Sequence, residues 1–159
     1  MIRDLIIHEV EKYSGNRDLA DRLLMQGDRP FLAWIAHRFC ERNAGAPVTQ
    51  TLDKLAAITG IPSYRVNYAY FSSAIITLHG LKSRKSMRVL RHVLEAHYPY
   101  PALWDDLLRF AYRTVMHMAI ELLVEDGTPP FVIEERLNVS HRIVYTVRDA
   151  WILRYLAAS

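Results

Sequence analysis

The chain has 159 residues, of which 51% are hydrophobic and 23% are charged, and its formal net charge at pH 7 is +3. This length is usual for one domain, and the composition predicts a soluble globular protein without biased or disordered tracts. The longest apolar runs are interrupted by charge within about ten residues, so none reaches the roughly 18 apolar residues that cross a bilayer.

The N-terminal segment MIRDLIIHEVEKYSG, residues 1–15, carries acids inside its apolar stretch and has no small-residue cleavage site. It lacks the pattern of a secretory signal peptide, and we expect a cytoplasmic protein that does not span a membrane. The single cysteine, Cys40, excludes a disulfide within the chain and any zinc or iron–sulfur site built from several cysteines.

Apolar residues recur at helical spacing along nearly the whole chain, and no stretch shows the sustained alternation of a strand. Segments rich in Gly, Pro and Asn interrupt this spacing at regular intervals. These interruptions fall at residues 15–16, 27–30, 43–47, 59–60, 79–80, 98–101 and 126–130. The sequence therefore predicts an all-α fold of about nine helices.

A helix-turn-helix motif requires two short helices joined by a tight turn, so that the outer face of the second helix can enter the major groove of DNA. The segment TLDKLAAITGIPSYRVNYAY, residues 51–70, has this pattern, with Gly60 at the turn. Its outward residues would be Ser63, Tyr64, Asn67 and Tyr68, with Arg65 close by. We interpret this first unit as structural, protein-binding or phosphate-contacting, and Tyr64, Arg65 and Asn67 are candidate DNA-binding residues.

The segment LKSRKSMRVLRH, residues 81–92, contains five basic residues and no acid. Such a concentration of positive charge attracts nucleic acid, but it is equally typical of a solvated helix face. The candidate phosphate contacts are Lys82, Arg84, Lys85 and Arg88. By contrast, ELLVEDGTPPFVIEE at residues 121–135 holds five acids and no base. This acidic segment would repel phosphates unless it is turned away from the duplex.

The stretch YPYP, residues 98–101, cannot continue a helix, because proline lacks an N–H group and restricts the residue before it. We predict a boundary there, between an N-terminal region of residues 1–97 and a C-terminal region of residues 98–159. An apolar segment at residues 102–126 is predicted to form one long helix that packs in the core or against a partner subunit. Aromatic residues that would act as interface anchors or as core are Trp104, Phe110, Tyr112 and Trp151.

A second helix-turn-helix pattern lies in PPFVIEERLNVSHRIVYTVRDAW, residues 129–151. The residues expected on its buried side are Ile133, Leu137, Val139, Val144 and Val147. Asn138 tolerates the left-handed backbone of a turn, and Ser140 is a good N-cap for the second helix. The candidate DNA-binding residues of this unit are Ser140, His141, Arg142, Tyr145, Thr146 and Arg148, and we expect it to be the one that reads bases.

Patterns typical of catalysis are absent from the sequence, which has no Gly-rich phosphate loop, no His-Glu-x-x-His motif and no Gly-x-Ser-x-Gly motif. His92 and His97 are five residues apart, about 500° around a helix, so they do not converge on one metal ion. The adjacent Asp105 and Asp106 would diverge on a helix, and we interpret them as acids offsetting the helix dipole near its N-terminus. We expect no enzyme activity, metal or cofactor.

Two parts of the chain resemble subunits of the flagellar master transcriptional regulator of enterobacteria, a hetero-oligomeric activator. The segments DLADRLLMQGDR, residues 18–29, and LDKLAAITGI, residues 52–61, resemble its smaller, dimer-forming subunit. MAIELLVEDGTPPFVIEERLNVSHRIV, residues 118–144, resembles the N-terminal region of its DNA-contacting subunit. That subunit also carries a zinc site of four cysteines, which this chain cannot form. The resemblance implies a DNA-binding activator that works as an oligomer.

These patterns lead to the hypothesis of a transcriptional regulator that binds duplex DNA through its C-terminal helix-turn-helix, as a homo- or hetero-oligomer. A helical adaptor or anti-activator that binds a protein instead of DNA is the alternative. An accessory protein of DNA transfer or replication, which would bind DNA without regulating transcription, would have the same sequence features.

Overall fold

The computed structural model describes the backbone of residues 1–79 and 84–158 and the side chains of residues 1–73 and 86–158. Within these ranges the chain forms ten α-helices and one short 3-10 helix, with no strand, which confirms the predicted all-α fold. The helices are α1 Ile2–Ser14, α2 Arg17–Leu24, the 3-10 helix Arg29–Phe31, α3 Leu32–Arg42, α4 Val48–Thr59, α5 Ser63–His79, α6 Arg84–His97, α7 Pro101–Phe110, α8 Tyr112–Glu125, α9 Pro130–Leu137 and α10 His141–Ala158.

The predicted single helix over residues 102–126 is wrong, because the chain bends at Ala111 and forms α7 and α8 instead. Ala111 has φ −140° and ψ 46°, which is not helical. Its N–H still donates to the carbonyl of Leu107, so the end of α7 is closed by a hydrogen bond of 2.8 Å. The bend lets α7 pack against α1, α3 and α6 while α8 packs against α2, α6, α9 and α10. A straight helix could not present its apolar stripe to both groups.

The YPYP stretch separates α6 from α7, as proline requires, and it is packed against the core. The indole N–H of Trp104 donates to the carbonyl of Tyr98 at 2.8 Å, and Trp104 itself is fully buried. Buried residues from both sides of this stretch belong to one hydrophobic cluster. The division into residues 1–97 and 98–159 stays a prediction. None of the described helices combines the length and the apolar character needed to cross a membrane.

Asp106 joins three helices in the core. Its carboxylate accepts a hydrogen bond of 2.6 Å from the hydroxyl of Tyr13 on α1 and one of 3.2 Å from the indole N–H of Trp34 on α3. Burial, together with the hydrogen bond to Asp106, raises the pKa of Tyr13 to about 12. Asp106 is therefore a structural acceptor for one half-buried and one fully buried donor, and the sequence-based interpretation of it as a helix-dipole acid missed this role.

Replacing Asp106 with alanine should lower the free energy of unfolding by about 2–3 kcal/mol, because two donors in the core lose their acceptor. The neighbouring Asp105 is a matched control, since it is exposed and pairs with Arg91 at 2.8 Å. Asp105→Ala should cost less than about 1 kcal/mol. Urea denaturation of the two variants checks this, and equal losses would contradict the role given to Asp106.

Candidate nucleic-acid interface

The C-terminal helix pair turns at Asn138, which has φ 53° and ψ 51°. Among the residues that the structure describes, Asn138 is the one residue other than glycine with a positive φ. The N–H of Val139 donates to the carbonyl of Glu134 at 3.1 Å and closes the end of α9. Ser140 then caps α10, because its hydroxyl accepts the N–H of Ile143 at 3.3 Å. The left-handed turn and the N-cap predicted from the sequence are both confirmed.

The buried side of this pair also follows the predicted pattern. Ile133, Leu137, Val144 and Val147 are buried, and Val139 is half-buried against the core. The pair α4–α5 has the same arrangement around Gly60, whose φ of 74° is left-handed. Each pair therefore has one face fixed in the core and one face directed outward.

Six candidate residues lie at the start of α10 and on the side of it that the core does not cover. Four of them are exposed and two are half-buried. The exposed residues are Ser140, His141, Arg142 and Thr146, and the half-buried ones are Tyr145 and Arg148. The structure thus brings the six predicted residues of the C-terminal unit onto one helix within about two and a half turns.

Five of these six side chains make contacts within the chain, and among them the hydroxyl of Thr146 donates to the carbonyl of Arg142 at 2.7 Å. The ring of Tyr145 lies 4.1 Å from the ring of His141, centroid to centroid, and 4.5 Å from the guanidinium carbon of Arg148. His141 Nδ1 also lies 3.1 Å from the carboxylate of Glu134. Arg142, by contrast, has no ion pair with any residue that the structure describes. Arg142 is therefore the cation at this end of α10 that is available to a ligand.

The first two acids of the acidic segment, Glu121 and Glu125, are neutralised by contacts with other helices. Glu121 is buried and forms ion pairs with Arg154 and, at 3.6 Å, with Arg22. Glu125 accepts hydrogen bonds from Arg22 at 2.7 Å and from the indole of Trp151 at 3.0 Å. These two carboxylates hold α2, α8 and α10 together, whereas Glu134 contacts His141 and Glu135 is exposed on α9.

His97 makes a further contact to the same segment. Its Nε2 lies 2.9 Å from Asp126, and its Nδ1 lies 3.0 Å from the carbonyl of Val93. The hydrogen bond to Val93, with a smaller contribution from Asp126, raises the pKa of His97 above its ordinary value of 6.5. His97 therefore ties the end of α6 to Asp126 at the end of α8.

The basic segment is described only in part. Lys82 lies outside the described residues, and Arg84 and Lys85 lie in α6 with side chains that are also outside them. Arg88 is exposed on α6. Arg91 is engaged, since it forms ion pairs with Glu95 at 3.0 Å and with Asp105 at 2.8 Å. The helix that carries Arg88 and Arg91, α6, packs against α9 of the C-terminal pair.

The candidates of the first pair lie on α5. Tyr64 is exposed, while Arg65 and Asn67 are half-buried, and the Asn67 side chain donates to the carbonyl of Ser63 at 2.7 Å. Tyr64 and Arg65 line a cleft of about 580 Å³ together with Arg29 and Arg109, which the sequence reasoning missed. No local pattern could have indicated these two arginines, because they come from elements far apart in the chain.

Among the described residues, no group of three or more His, Cys, Asp and Glu side chains is placed to hold a metal ion. No protein-family model, no curated protein and no solved structure matches the chain. The function is therefore inferred from the geometry of the chain itself.

The left-handed turn at Asn138 can be tested by two substitutions. Asn138→Ala should destabilise the protein by about 1 kcal/mol, because a Cβ without a hydrogen-bonding side chain is disfavoured in this conformation. Asn138→Gly should be neutral or stabilising, since glycine adopts a positive φ without strain. Thermal denaturation of the two variants measures the difference. A loss of stability in Asn138→Gly as large as that in Asn138→Ala would contradict the left-handed conformation of Asn138.

The pKa of His97 predicts a pH-dependent contribution to stability. A histidine whose folded-state pKa is raised stabilises the protein fully below its unfolded pKa and loses that effect as the pH rises through the folded value. Asp126→Asn should therefore cost about 0.5 kcal/mol near pH 5.5 and almost nothing near pH 8.5. Urea denaturation at the two pH values measures this difference.

Asp105→Asn is the control for that experiment. Asp105 and Asp126 have similar side-chain exposure, 56% and 49%, but Asp105 pairs with an arginine. Because arginine stays protonated throughout this range, the cost of Asp105→Asn should not change with pH. A pH-independent cost for Asp126→Asn would show that the charge of His97 is not what Asp126 binds.

Proposed function

We propose that the protein is a cytoplasmic transcriptional regulator that binds duplex DNA through the N-terminal half of α10. The observation that carries this proposal is Arg142, an exposed cation without an ion pair among the described residues, at the start of the second helix of a tightly turned pair. The position is the one from which a recognition helix contacts base edges. The resemblance of residues 118–144 to a DNA-contacting activator subunit supports the same assignment.

In this proposal Arg142 donates two hydrogen bonds to the O6 and N7 atoms of a guanine in the major groove. Ser140 and Thr146 lie nearby on the same helix, and His141, Tyr145 and Arg148 form a preformed stack that limits how α10 enters the groove. Phosphate contacts come from the basic segment, in which Arg88 is exposed on α6 and Lys82, Arg84 and Lys85 are the further predicted contacts. These contacts supply affinity and orientation, whereas Arg142 supplies sequence preference.

The protein is proposed to act as an oligomer, because one short recognition helix contacts too few base pairs for a specific site. The last turns of α10 support this, since Leu153 and Leu156, which are three residues apart and therefore neighbours on the helix surface, are 67% and 61% exposed. Neighbouring apolar side chains of this size are typical of a subunit interface. This surface could bind either a second copy of the chain or a different subunit.

The same apolar end favours the second candidate function, a helical adaptor that binds a protein and not DNA. Phe131, at the start of α9, is 69% exposed and adds to the apolar surface of the C-terminal pair. An adaptor would bind its partner through these residues and would tolerate the loss of Arg142 and Arg88. The two functions therefore differ in which residues they require.

Fluorescence anisotropy with random duplex DNA over a range of salt concentrations tests the proposal first. Affinity should fall steeply with salt, because phosphate contacts release counterions. If the chain binds no DNA at low salt, the protein alone is not a DNA-binding protein and the adaptor function is favoured. A pull-down would then identify the protein that the adaptor binds.

On a sequence selected from the random pool, Arg142→Ala should weaken binding by about 5- to 150-fold, the equivalent of about 1–3 kcal/mol for a bidentate guanine contact. Arg113→Ala is the matched control, since Arg113 is an exposed arginine on α8 and its loss changes the net charge equally. If Arg142→Ala and Arg113→Ala have the same effect on the selected site, α10 is not the helix that reads bases.

A further inference from the structure

A cleft on the N-terminal part of the fold has the lining of a ligand site. It has a volume of about 580 Å³ and lies between the 3-10 helix, the start of α3, the first half of α5 and the end of α7. This volume is within the range of sites for small molecules. The residues that give it its chemical character are Arg29, Tyr64, Arg65, Tyr68, Arg109 and Phe110.

Three arginines from three different elements meet at this cleft, and no acid lines it. Within the described part of the chain, Arg29, Arg65 and Arg109 have no ion pair. Other arginines at the edge of the core are bound to acids, as Arg22 is to Glu125 and Arg42 is to Glu9. A concave surface lined by one sign of charge attracts an anion, and guanidinium groups bind phosphate oxygens through pairs of hydrogen bonds.

The backbone adds to this positive charge. Tyr64 and Arg65 lie in the first turn of α5, which contains no acid and presents the positive end of the helix dipole.

The nearby His37 packs against Tyr70 and Phe110, with ring centroids at 4.2 and 4.7 Å. Burial of His37, with a smaller effect from the charge of Arg109, lowers its pKa below 6.5. The charge of the cleft at neutral pH is therefore that of its arginines.

The cleft also presents flat aromatic surface. Tyr64 and Tyr68 both line it and are 74% and 75% exposed. Residues four apart on a helix are neighbours on one face, so the two rings lie on the same side of α5. Arg109 is held against the ring of Phe110, with its guanidinium carbon 4.9 Å from the ring centroid. Exposed tyrosines beside arginines match a ligand that combines a planar ring with an anionic group.

We propose that this cleft binds a nucleotide, with its phosphates on Arg29, Arg65 and Arg109 and its base stacked on Tyr64 or Tyr68. The shared chemistry is a base-bearing phosphate, whose source is either a free nucleotide or the unpaired end of a nucleic-acid strand. This inference does not depend on duplex binding by α10, because the cleft is formed by other elements. It gives the outward residues of the first helix pair a ligand of their own.

Isothermal titration calorimetry of the whole chain with ADP, inorganic pyrophosphate and adenosine separates the two parts of the ligand. ADP should bind at least about tenfold more tightly than either of the others, because only ADP combines stacking with phosphate contacts. Pyrophosphate binding as tight as that of ADP would overturn the proposal, and so would no heat with ADP. A short single-stranded oligonucleotide is the fourth probe, and its affinity relative to ADP identifies the source of the base-bearing phosphate.

Variants assign the roles within the cleft. Arg29→Ala should weaken the binding of ADP by about tenfold. Arg113→Ala, which removes the same charge elsewhere, should leave the affinity for ADP unchanged. Tyr68→Ala should abolish the higher affinity for ADP than for pyrophosphate. Tyr68→Phe should preserve this difference in affinity, because stacking requires only the aromatic ring. Since Arg29 and Tyr68 are exposed, neither substitution disturbs the core.

Arg142→Ala should bind ADP as the unmodified chain does, so failure of duplex binding and failure of nucleotide binding are distinguishable. ADP binding that is unchanged by Arg29→Ala would show that the nucleotide does not occupy this cleft.

Discussion

The buried carboxylate of Glu121 determines where the last helix of the chain lies. An unpaired buried charge is costly, so Glu121 on α8 requires cations beside it, and Arg154 from α10 and Arg22 from α2 meet this requirement. The hydrogen bond from Trp151 to Glu125 fixes a second point one turn further along α8. Together these contacts set the rotation of α10, and this rotation leaves Arg142 on the outer side.

The distribution of charge in the fold follows from the same requirement. Three acids act as internal acceptors, Glu9, Asp106 and Glu121, and each gathers donors from other helices. Arginines that are not needed for these pairs remain at the surface, at α10 and in the cleft beside α5. A modest net charge of +3 is thereby compatible with a locally positive surface, because no acid lines the cleft.

The features that could be predicted from the sequence are those set by neighbouring residues. The helical class, the left-handed turn at Asn138, the cap at Ser140 and the buried faces of both helix pairs depend on local backbone chemistry and spacing. The bend at Ala111 could not be predicted, because alanine favours a helix and only packing opposes it. The partners of Asp106 and the arginines of the cleft come from distant segments, and their meeting is a property of the folded chain.

The three tryptophans report on different parts of the molecule. Trp34 and Trp104 are fully buried, whereas Trp151 is half-exposed, bonded to Glu125 and stacked on Tyr155 at 5.8 Å. Because it is partly exposed, Trp151 should emit at longer wavelengths than the two core indoles and should be more sensitive to quenchers in solvent. Detachment of α10 would change only this component, while loss of the core would change all three. The chain thus contains its own optical probe for local opening of its last helix.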